Sequence, residues 1–449
     1  EISACLVGSE MCIRDRISMS KEENRKNFSK YVSQNILGMI GFSCYVLADS
    51  YFISIAKGAD GLTALNLVMP LYSIIFSIGE MIGVGSAIRY AISKIKKDAD
   101  ADDYFWNALI WCILSSMLFV FAGIFFSADI MRVLGADEHI VAVGNNYTKI
   151  FMCFAPMFMC NYVTNAFVRN DGAPGIAMSA TLFSSLFNIV FDYILMFPMN
   201  LGMEGAALAT ALSPIIGMGI CSIHFFSKKS SVRLVVCKPS VRKLVAGSQL
   251  GVSAFVGEMS SAVITLAFNF VILKLAGNVG VAAYGVVANI AIVTTAVFNG
   301  VAQGSQPLIS SCFGRGDKDG CTQLKRMGYT TAFVLAAVMY SILFIFAGQF
   351  VAVFNSEGSE MLRLYATEGV KLYFIGIFFA GINIVGGGAF SATEDAFKAA
   401  VVSVARGFVL ILGAVFVMSA FFGMTGVWLA YAVAEGITTF IMLVMVLRV

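Results

Sequence analysis

Acidic side chains inside long apolar stretches are the residues of this sequence best placed to do chemistry. Asp49 lies in "GFSCYVLADSYFISIA", a stretch that contains no basic residue. Asp192 lies in "FNIVFDYILMF", four residues after Asn188, and Asn161 and Asn165 have the same spacing in an earlier stretch, so each pair shares one face of a helix. A carboxylate among amide and hydroxyl oxygens could hold a sodium ion, or a proton where hydration is poor. The residues are compatible with either ligand, a sodium ion or a proton.

Three further acids lie in apolar stretches, where a charged group costs about 2.5 to 3.5 kcal/mol on insertion scales and is a functional candidate by default. Glu258, in "GVSAFVGEMSSAVITLAF", takes about the place in the second half of the chain that Asp49 takes in the first. It is a candidate for binding a cationic substrate or a proton. Glu80 and Glu435 could equally pair with a polar group on a neighbouring helix.

Two other charged features are expected to be structural. Arg406, in "VVSVARGFVLIL", is a cation inside an apolar stretch and is expected to neutralise an acid such as Glu394 or Glu435. The run "DADADD" at 98–103 has the composition of a metal-binding loop. It follows three lysines and precedes an apolar helix, so we expect a solvated turn with acids at a helix N-terminus.

The composition is that of a polytopic membrane protein. Of the 449 residues, 59% are hydrophobic and 13% are charged, against about 25% charged in soluble domains. The ten cysteines are scattered singly and there are two histidines, so no disulfide framework or zinc site is indicated. No catalytic triad, phosphate-binding glycine loop or Walker lysine is present, which disfavours ATP-driven pumping and hydrolytic catalysis. Nucleic acid is not an implied partner.

Apolar runs long enough to cross a bilayer predict twelve transmembrane helices and therefore an all-α membrane protein. Their approximate bounds are 31–56, 62–93, 104–126, 147–168, 175–199, 203–227, 244–275, 280–311, 328–353, 369–391, 396–421 and 424–448.

Internal similarity predicts two six-helix bundles. "GMEGAALATA" at 202–211 matches "GMTGVWLAYA" at 423–432 at six of ten positions, with an offset of 221. A weaker match, between the segments that begin at Gly61 and Gly280, has an offset of 219. Because each half has an even number of spans, the halves should be related by a pseudo-twofold along the membrane normal, with a cavity between them.

The predicted organisation has four parts. They are a non-native leader at 1–18, an N-terminal six-helix lobe at 19–227, a basic linker at 228–243 and a C-terminal six-helix lobe at 244–449. Most lysines and arginines, Arg169 among them, fall in connections that are cytoplasmic if the N-terminus is cytoplasmic. The positive-inside rule therefore predicts a multi-pass protein with both termini in the cytoplasm.

Several motifs together resemble a known transporter family. They are an acid in the first helix, "FVRNDGAP" after the fourth, the N-x-x-x-D pair in the fifth and "GMEGAALATA" opening the sixth. Over 28–449 the chain resembles the multidrug and toxic compound extrusion (MATE) transporters, in particular the bacterial branch like the staphylococcal multidrug exporter. The resemblance implies an antiporter of the bacterial cytoplasmic membrane that couples H⁺ or Na⁺ entry to export of amphipathic, often cationic compounds by alternating access. We expect a monomer with no cofactor beyond the coupling ion.

The resemblance also implies a set of site residues. The family's cation site in the N-terminal half maps onto Asp49, Asn165, Asn188, Asp192 and Thr210. A bound Na⁺ would involve Asp49, Asn188 and Asp192, and no other metal is implied. Some relatives use further acids, which correspond here to Glu258 in the seventh helix and to Glu394 or Asp395 after the tenth. These second-lobe acids, together with Glu80 of the first lobe, are the candidates for substrate binding.

Two alternative functions are compatible with parts of the sequence. The first is a flippase for lipid-linked sugars, from the same superfamily, which would favour a cationic cavity over the acidic one expected here. The second is an intramembrane enzyme that uses "DADADD" to bind a metal and a diphosphate, and it requires Asp100 and Asp102.

Overall fold

The computed structural model describes residues 21–354 and 359–447, whose regular structure is helical throughout. The predicted leader at 1–18 lies outside this range. The helices are α1 (Lys21–Lys96), α2 (Asp103–Val133), α3 (Glu138–Cys153), α4 (Ala155–Asn170), α5 (Pro174–Met196), α6 (Gly202–Phe225), α7 (Val241–Gly314), α8 (Lys318–Ile345), α9 (Ala347–Phe354), α10 (Glu360–Tyr373), α11 (Ile377–Ala392), α12 (Ala396–Val404) and α13 (Leu410–Leu447).

Three glycines divide the longest helices into pairs of spans. Gly58, Gly277 and Gly423 have φ values of 60°, 61° and 57°, in the left-handed region where glycine carries no Cβ penalty. Another bend, of 46°, separates α3 from α4, whose first turn contains Pro156. Nine described helices, or ten if α3 and α4 form one span, are long and apolar enough to cross a membrane. Division at Gly277 and Gly423 then gives twelve spans, in agreement with the predicted fold class.

We number these spans in chain order. They are Lys21–Gly58, Asp60–Lys96, Asp103–Val133, α3 with α4, Pro174–Met196, Gly202–Phe225, 241–276, 278–314, Lys318–Ile345, Glu360–Ala392, 396–422 and 424–446.

Two hydrophobic clusters form the cores of the two six-helix bundles. The first extends from Ile53 to Leu250 and the second lies mainly between Ala267 and Ala434. Between α6 and α7, residues 230–240 have no regular structure. The lobe boundaries at 19–227, 228–243 and 244–449 stay a prediction.

The two bundles touch at one end of the molecule, where close helix approach depends on glycine. A Cβ added to Gly300 would lie 2.6 Å from Ile36 Cα, and one added to Gly304 would lie 2.7 Å from Val32 Cα. The backbones of the second and seventh spans meet in the same way, Gly251 against Met81. Small residues allow such approach between membrane helices, so the described backbones of the two bundles are in direct contact at these crossings.

Charged loops mark this end of the molecule, which we call the basic end because it carries Arg89, Lys94, Lys96 and Lys243. Acids of the "DADADD" turn pair with these lysines: Asp102 lies 2.6 Å from Lys94 Nζ, and Asp103 pairs with Lys243. The run is a turn that leads into α2, as predicted, with its acids bound to neighbouring lysines.

Candidate ion and substrate sites

Three of the predicted ion-coupling residues form a hydrogen-bonded cluster inside the N-terminal bundle. Asn188 and Asp192 share one face of α5, and Thr210 faces them from α6; all three are at most 1% exposed. With its amide nitrogen placed beside Asp192, Asn188 donates to Asp192 Oδ2 at 3.0 Å. Its amide oxygen then accepts from Thr210 Oγ1 at 3.1 Å. The i,i+4 spacing on α5 produces this arrangement directly.

Asp49, on the first span, is buried close to this cluster. Its carboxyl group interacts electrostatically with that of Asp192, and its side chain lines the central cavity together with Thr210. Asp49 Oδ1 and Asp192 Oδ1 are both buried and have no hydrogen-bond partner among the described residues. Buried acceptors are normally satisfied, so two free carboxyl oxygens beside an amide and a hydroxyl form a donor set that suits Na⁺ or a proton.

Asn165 makes its hydrogen bonds elsewhere. Its amide nitrogen donates to the carbonyl oxygen of Ala177 at 3.1 Å and to Thr181 Oγ1 at 3.2 Å, both on α5. Together with Asn161, it lines a smaller cavity of about 110 Å³. Within the described structure, Asn165 therefore makes no hydrogen bond to Asp49 or to the Asn188 cluster.

The central cavity lies between the two bundles and has a volume of about 410 Å³. The N-terminal bundle contributes apolar side chains, among them Met39, Phe42, Met69 and Phe76, together with the polar groups of Asp49, Glu80 and Thr210. The C-terminal bundle contributes hydroxyl and amide groups, among them Ser253, Ser261, Thr265, Asn299 and Ser403, together with alanine and isoleucine side chains. Both sides of the cavity therefore combine apolar surface with polar groups.

Two of the predicted substrate acids, Glu80 and Glu258, line both cavities. Two aromatic rings that line the cavity from the C-terminal bundle, Tyr373 and Tyr431, stack with their centroids 4.3 Å apart. Carboxylates and aromatic faces both attract organic cations. The walls thus offer contacts for a molecule with an apolar body and a positive charge.

A buried network at the floor of the cavity joins the bundles. Arg169 donates to Asn35 Oδ1 at 3.1 Å and to the side-chain oxygen of Gln303. The Gln303 amide nitrogen donates to Glu80 Oε1 at 3.2 Å. Gln303, from the C-terminal bundle, therefore lies between an arginine and a glutamate of the N-terminal bundle.

Sequence reasoning missed the position of Arg169, which was counted among the charges of a cytoplasmic connection. The residue is the next to last of α4 and is only 5% exposed. Charge counting treats any cation at the end of a span as solvent-facing, and so it cannot recognise one that turns inward. The available signal was the uninterrupted apolar run "AFV" directly before Arg169.

Arg406 is neutralised by Glu435, one of the two partners expected from the sequence. The two side chains approach to 2.8 Å, and Glu435 is 3% exposed. Asn383 donates to Glu435 Oε2 at 2.7 Å and its own oxygen accepts from Thr439 at 3.0 Å. Arg406 lies in a π-helical turn, Ala405–Val409, and lines the central cavity.

Glu394 and Asp395 lie at the basic end, on the turn after α11. Glu394 pairs with Arg89 and also lies 3.4 Å from Lys96, so it bridges from the C-terminal bundle to the N-terminal one. Asp395 pairs with Lys398 at 2.9 Å. Neither residue lines the central cavity or the smaller one beside it.

The fold and these sites define a multi-pass membrane protein of two six-helix bundles around a central cavity, with a buried acidic cluster on one side. Two segments, residues 35–194 and 254–417, match the MatE family model. The chain belongs to the MatE family.

Named relatives and solved structures resemble the chain over most of its length. It is 27% identical to the multidrug export protein MepA of Staphylococcus aureus strain MRSA252, over 90% of this chain and 89% of the relative. A structure described as the outward-facing conformation of a multidrug resistance MATE family transporter has a TM-score of 0.89 at 20% identity, covering 96% of both chains. A MOP superfamily transporter from Pyrococcus furiosus, described as having a binding pocket of reverse polarity that suggests a different function, has a TM-score of 0.87 at 20% identity, covering 94% of this chain and 95% of that one.

Proposed function

We propose that this protein is a secondary active multidrug efflux transporter that exchanges H⁺ or Na⁺ for amphipathic, often cationic compounds. The observation that carries the proposal is the pair of free carboxyl oxygens, on Asp49 and Asp192, in a buried cluster beside the central cavity. Two unsatisfied acceptors in a buried cluster favour the binding of a cation there. The adjoining cavity is suited to binding an organic solute.

The relatives support the same function. The S. aureus relative is named a multidrug export protein and aligns over 90% of this chain. Naming of the relatives as transporters also supports a transporter rather than an enzyme.

Transport would proceed by alternating access of the central cavity. In the conformation described here, glycine contacts and the Gln303 network join the bundles at the basic end. We place this end in the cytoplasm of a bacterial cell, in line with the positive-inside rule. A cation that binds at Asp49 and Asp192 would neutralise the charge that attracts a cationic substrate, and so would favour substrate release to the outside.

Efflux from proteoliposomes under an imposed gradient tests this function. Vesicles loaded with a cationic dye are given an inward pH or sodium gradient, and dye release is followed for the wild type, Asp49→Asn and Asp129→Asn. Asp129 is an exposed acid that pairs with Arg132 and serves as the matched control. We expect gradient-dependent release for the wild type and the control, and loss of the gradient effect for Asp49→Asn.

Two results would contradict the proposal. Full gradient-driven efflux by Asp49→Asn would remove Asp49 from coupling. Absence of dye transport by the wild type, together with binding of a lipid-linked anionic sugar, would favour the flippase alternative.

A further inference from the structure

A groove of about 510 Å³ runs along the outer side of the junction between the bundles, separate from the central cavity. One wall is the beginning of the first span and the other is the beginning of the ninth. The described lining consists of five apolar side chains, among them Phe28, Val32 and Leu335, four serine or threonine hydroxyls, and two arginines. The arginines, Arg25 and Arg326, are the lining residues nearest the starts of the two spans.

The length of the groove matches one leaflet of a bilayer. At 1.5 Å per helical residue, the stretch from Arg25 to Ile36 covers about 16 Å, and that from Arg326 to Leu335 covers about 14 Å. Half of a hydrocarbon core about 30 Å thick is about 15 Å. The groove is therefore about as long as the hydrocarbon part of one leaflet is deep, and the arginines lie at the end nearest the starts of the two spans.

The two arginines are available to an outside ligand. Arg25 and Arg326 are exposed, and neither has an ion-pair or hydrogen-bond partner among the described residues. Other arginines at the basic end are engaged, for example Arg89 with Glu394. Two free guanidinium groups at the head of an apolar groove complement a phosphate joined to acyl chains, because guanidinium matches phosphate geometry in two-point hydrogen bonds.

We propose that this groove binds one anionic phospholipid from the adjacent leaflet. Its phosphate lies between Arg25 and Arg326, and an acyl chain follows the apolar walls between the first and ninth spans. Because these spans belong to different bundles, the bound lipid contacts both sides of the junction. The site depends on the membrane-spanning fold and not on which ion or substrate is transported.

Native mass spectrometry of the purified protein tests this site, with phosphatidylglycerol as the probe and phosphatidylcholine as the zwitterionic comparison. Arg25→Gln with Arg326→Gln removes both headgroup contacts. Arg233→Gln with Arg242→Gln is the matched control, since it removes the same charge from exposed residues at the same end, away from the groove. Thr331→Trp blocks the groove and leaves both arginines in place. A thermal unfolding curve for each variant verifies that it is folded.

We expect wild type and control to retain phosphatidylglycerol over phosphatidylcholine, and the double variant at the groove to retain at least about five-fold less, given the attraction of each cation for anionic lipid. Thr331→Trp should show a similar loss. The proposal would be overturned if the control lost as much phosphatidylglycerol as the double variant at the groove, or if Thr331→Trp retained it fully. Either result would mean that general surface charge accounts for the binding. Lipid binding seen only after removal of residues 1–18 would make that segment the occupant instead, and would also overturn it.

Discussion

The amide of Asn188 orients the acid that we assign to ion coupling. By donating to one carboxyl oxygen of Asp192, it leaves the other, Oδ1, free. Thr210 in turn fixes the orientation of the amide, since its hydroxyl donates to the amide oxygen. We therefore propose that Thr210 positions Asn188.

Replacing Thr210 with Val removes that hydroxyl at nearly constant volume. Loss of one hydrogen bond costs about 1 kcal/mol, so we expect the cation concentration for half-maximal efflux to rise about five-fold. The maximal rate at saturating cation should change little. Thr210→Ser keeps the hydroxyl and should behave as the wild type; an equal defect in both variants would show that the methyl group, and not the hydrogen bond, matters.

The ion pair between Arg406 and Glu435 should contribute to stability mainly by avoiding an unpaired buried charge. Glu435→Leu leaves the Arg406 guanidinium without its carboxylate partner, while the Asn383 amide keeps only its bond to the backbone carbonyl oxygen of residue 435, so we expect a loss of about 3–5 kcal/mol. The double variant Arg406→Leu/Glu435→Leu removes both charges and should recover most of that loss. Thermal unfolding in detergent measures the stability of both variants. A double variant less stable than Glu435→Leu would contradict this prediction.

Sequence reasoning predicted residue neighbours where one helix contains them. The spacing of Asn188 and Asp192 was sufficient to place them on one face of a helix, because helical geometry is local. The contact of Arg169 with Gln303 depends on how two bundles pack, and no local pattern encodes it. For the same reason, the sequence was sufficient to place Glu394 at the end of the tenth span, but it did not reveal that Glu394 pairs with Arg89.

Glycine determines where the long helices break and where helices of the two bundles meet. The predicted gaps near 57–61 and 276–279 correspond to breaks at Gly58 and Gly277, since charge and glycine near a span end are visible in sequence. The tenth span begins earlier than predicted, at Glu360 instead of 369, because its first turns are amphipathic and not apolar. Apolar run length detects the membrane-embedded part of a helix but not its polar extension.

Gln303 should stabilise the contact between the bundles at the basic end. Gln303→Leu removes a donor to Glu80 and an acceptor for Arg169, and hydrogen bonds to charged groups are worth about 1.5–3 kcal/mol each. We expect hydrogen–deuterium exchange at the basic ends of the first, second, seventh and eighth spans to accelerate at least about ten-fold.

Gln306→Leu is the matched control for this prediction. Gln306 lies one turn further along the same helix, and its side chain faces Gly388 of its own bundle. We expect Gln306→Leu to leave hydrogen–deuterium exchange at the basic end unchanged. Equal exchange in Gln303→Leu and the wild type would mean that the glycine contacts alone hold the bundles together.

The two bundles contribute different charged groups to the cavity region. The N-terminal bundle supplies the buried acidic cluster and Glu80, and the C-terminal bundle supplies Glu258 and the ion pair of Arg406 with Glu435. The cations that face the cavity region are compensated: Arg406 by Glu435, and Arg169 through Gln303 by Glu80. Acids therefore dominate the uncompensated charge of the described residues around the cavity, which supports our proposal of cationic solutes over the anions that a flippase for lipid-linked sugars would move.

Substrate-driven cation movement is the most direct test of coupling through Asp49 and Asp192. Proteoliposomes without an imposed gradient are given a cationic dye on one side, and the internal pH and sodium concentration are recorded. We expect dye movement by the wild type to drive H⁺ or Na⁺ in the opposite direction, and we expect Asp49→Asn and Asp192→Asn to abolish this cation flux. Dye movement with no opposing flux in the wild type, or with undiminished flux in both variants, would contradict it.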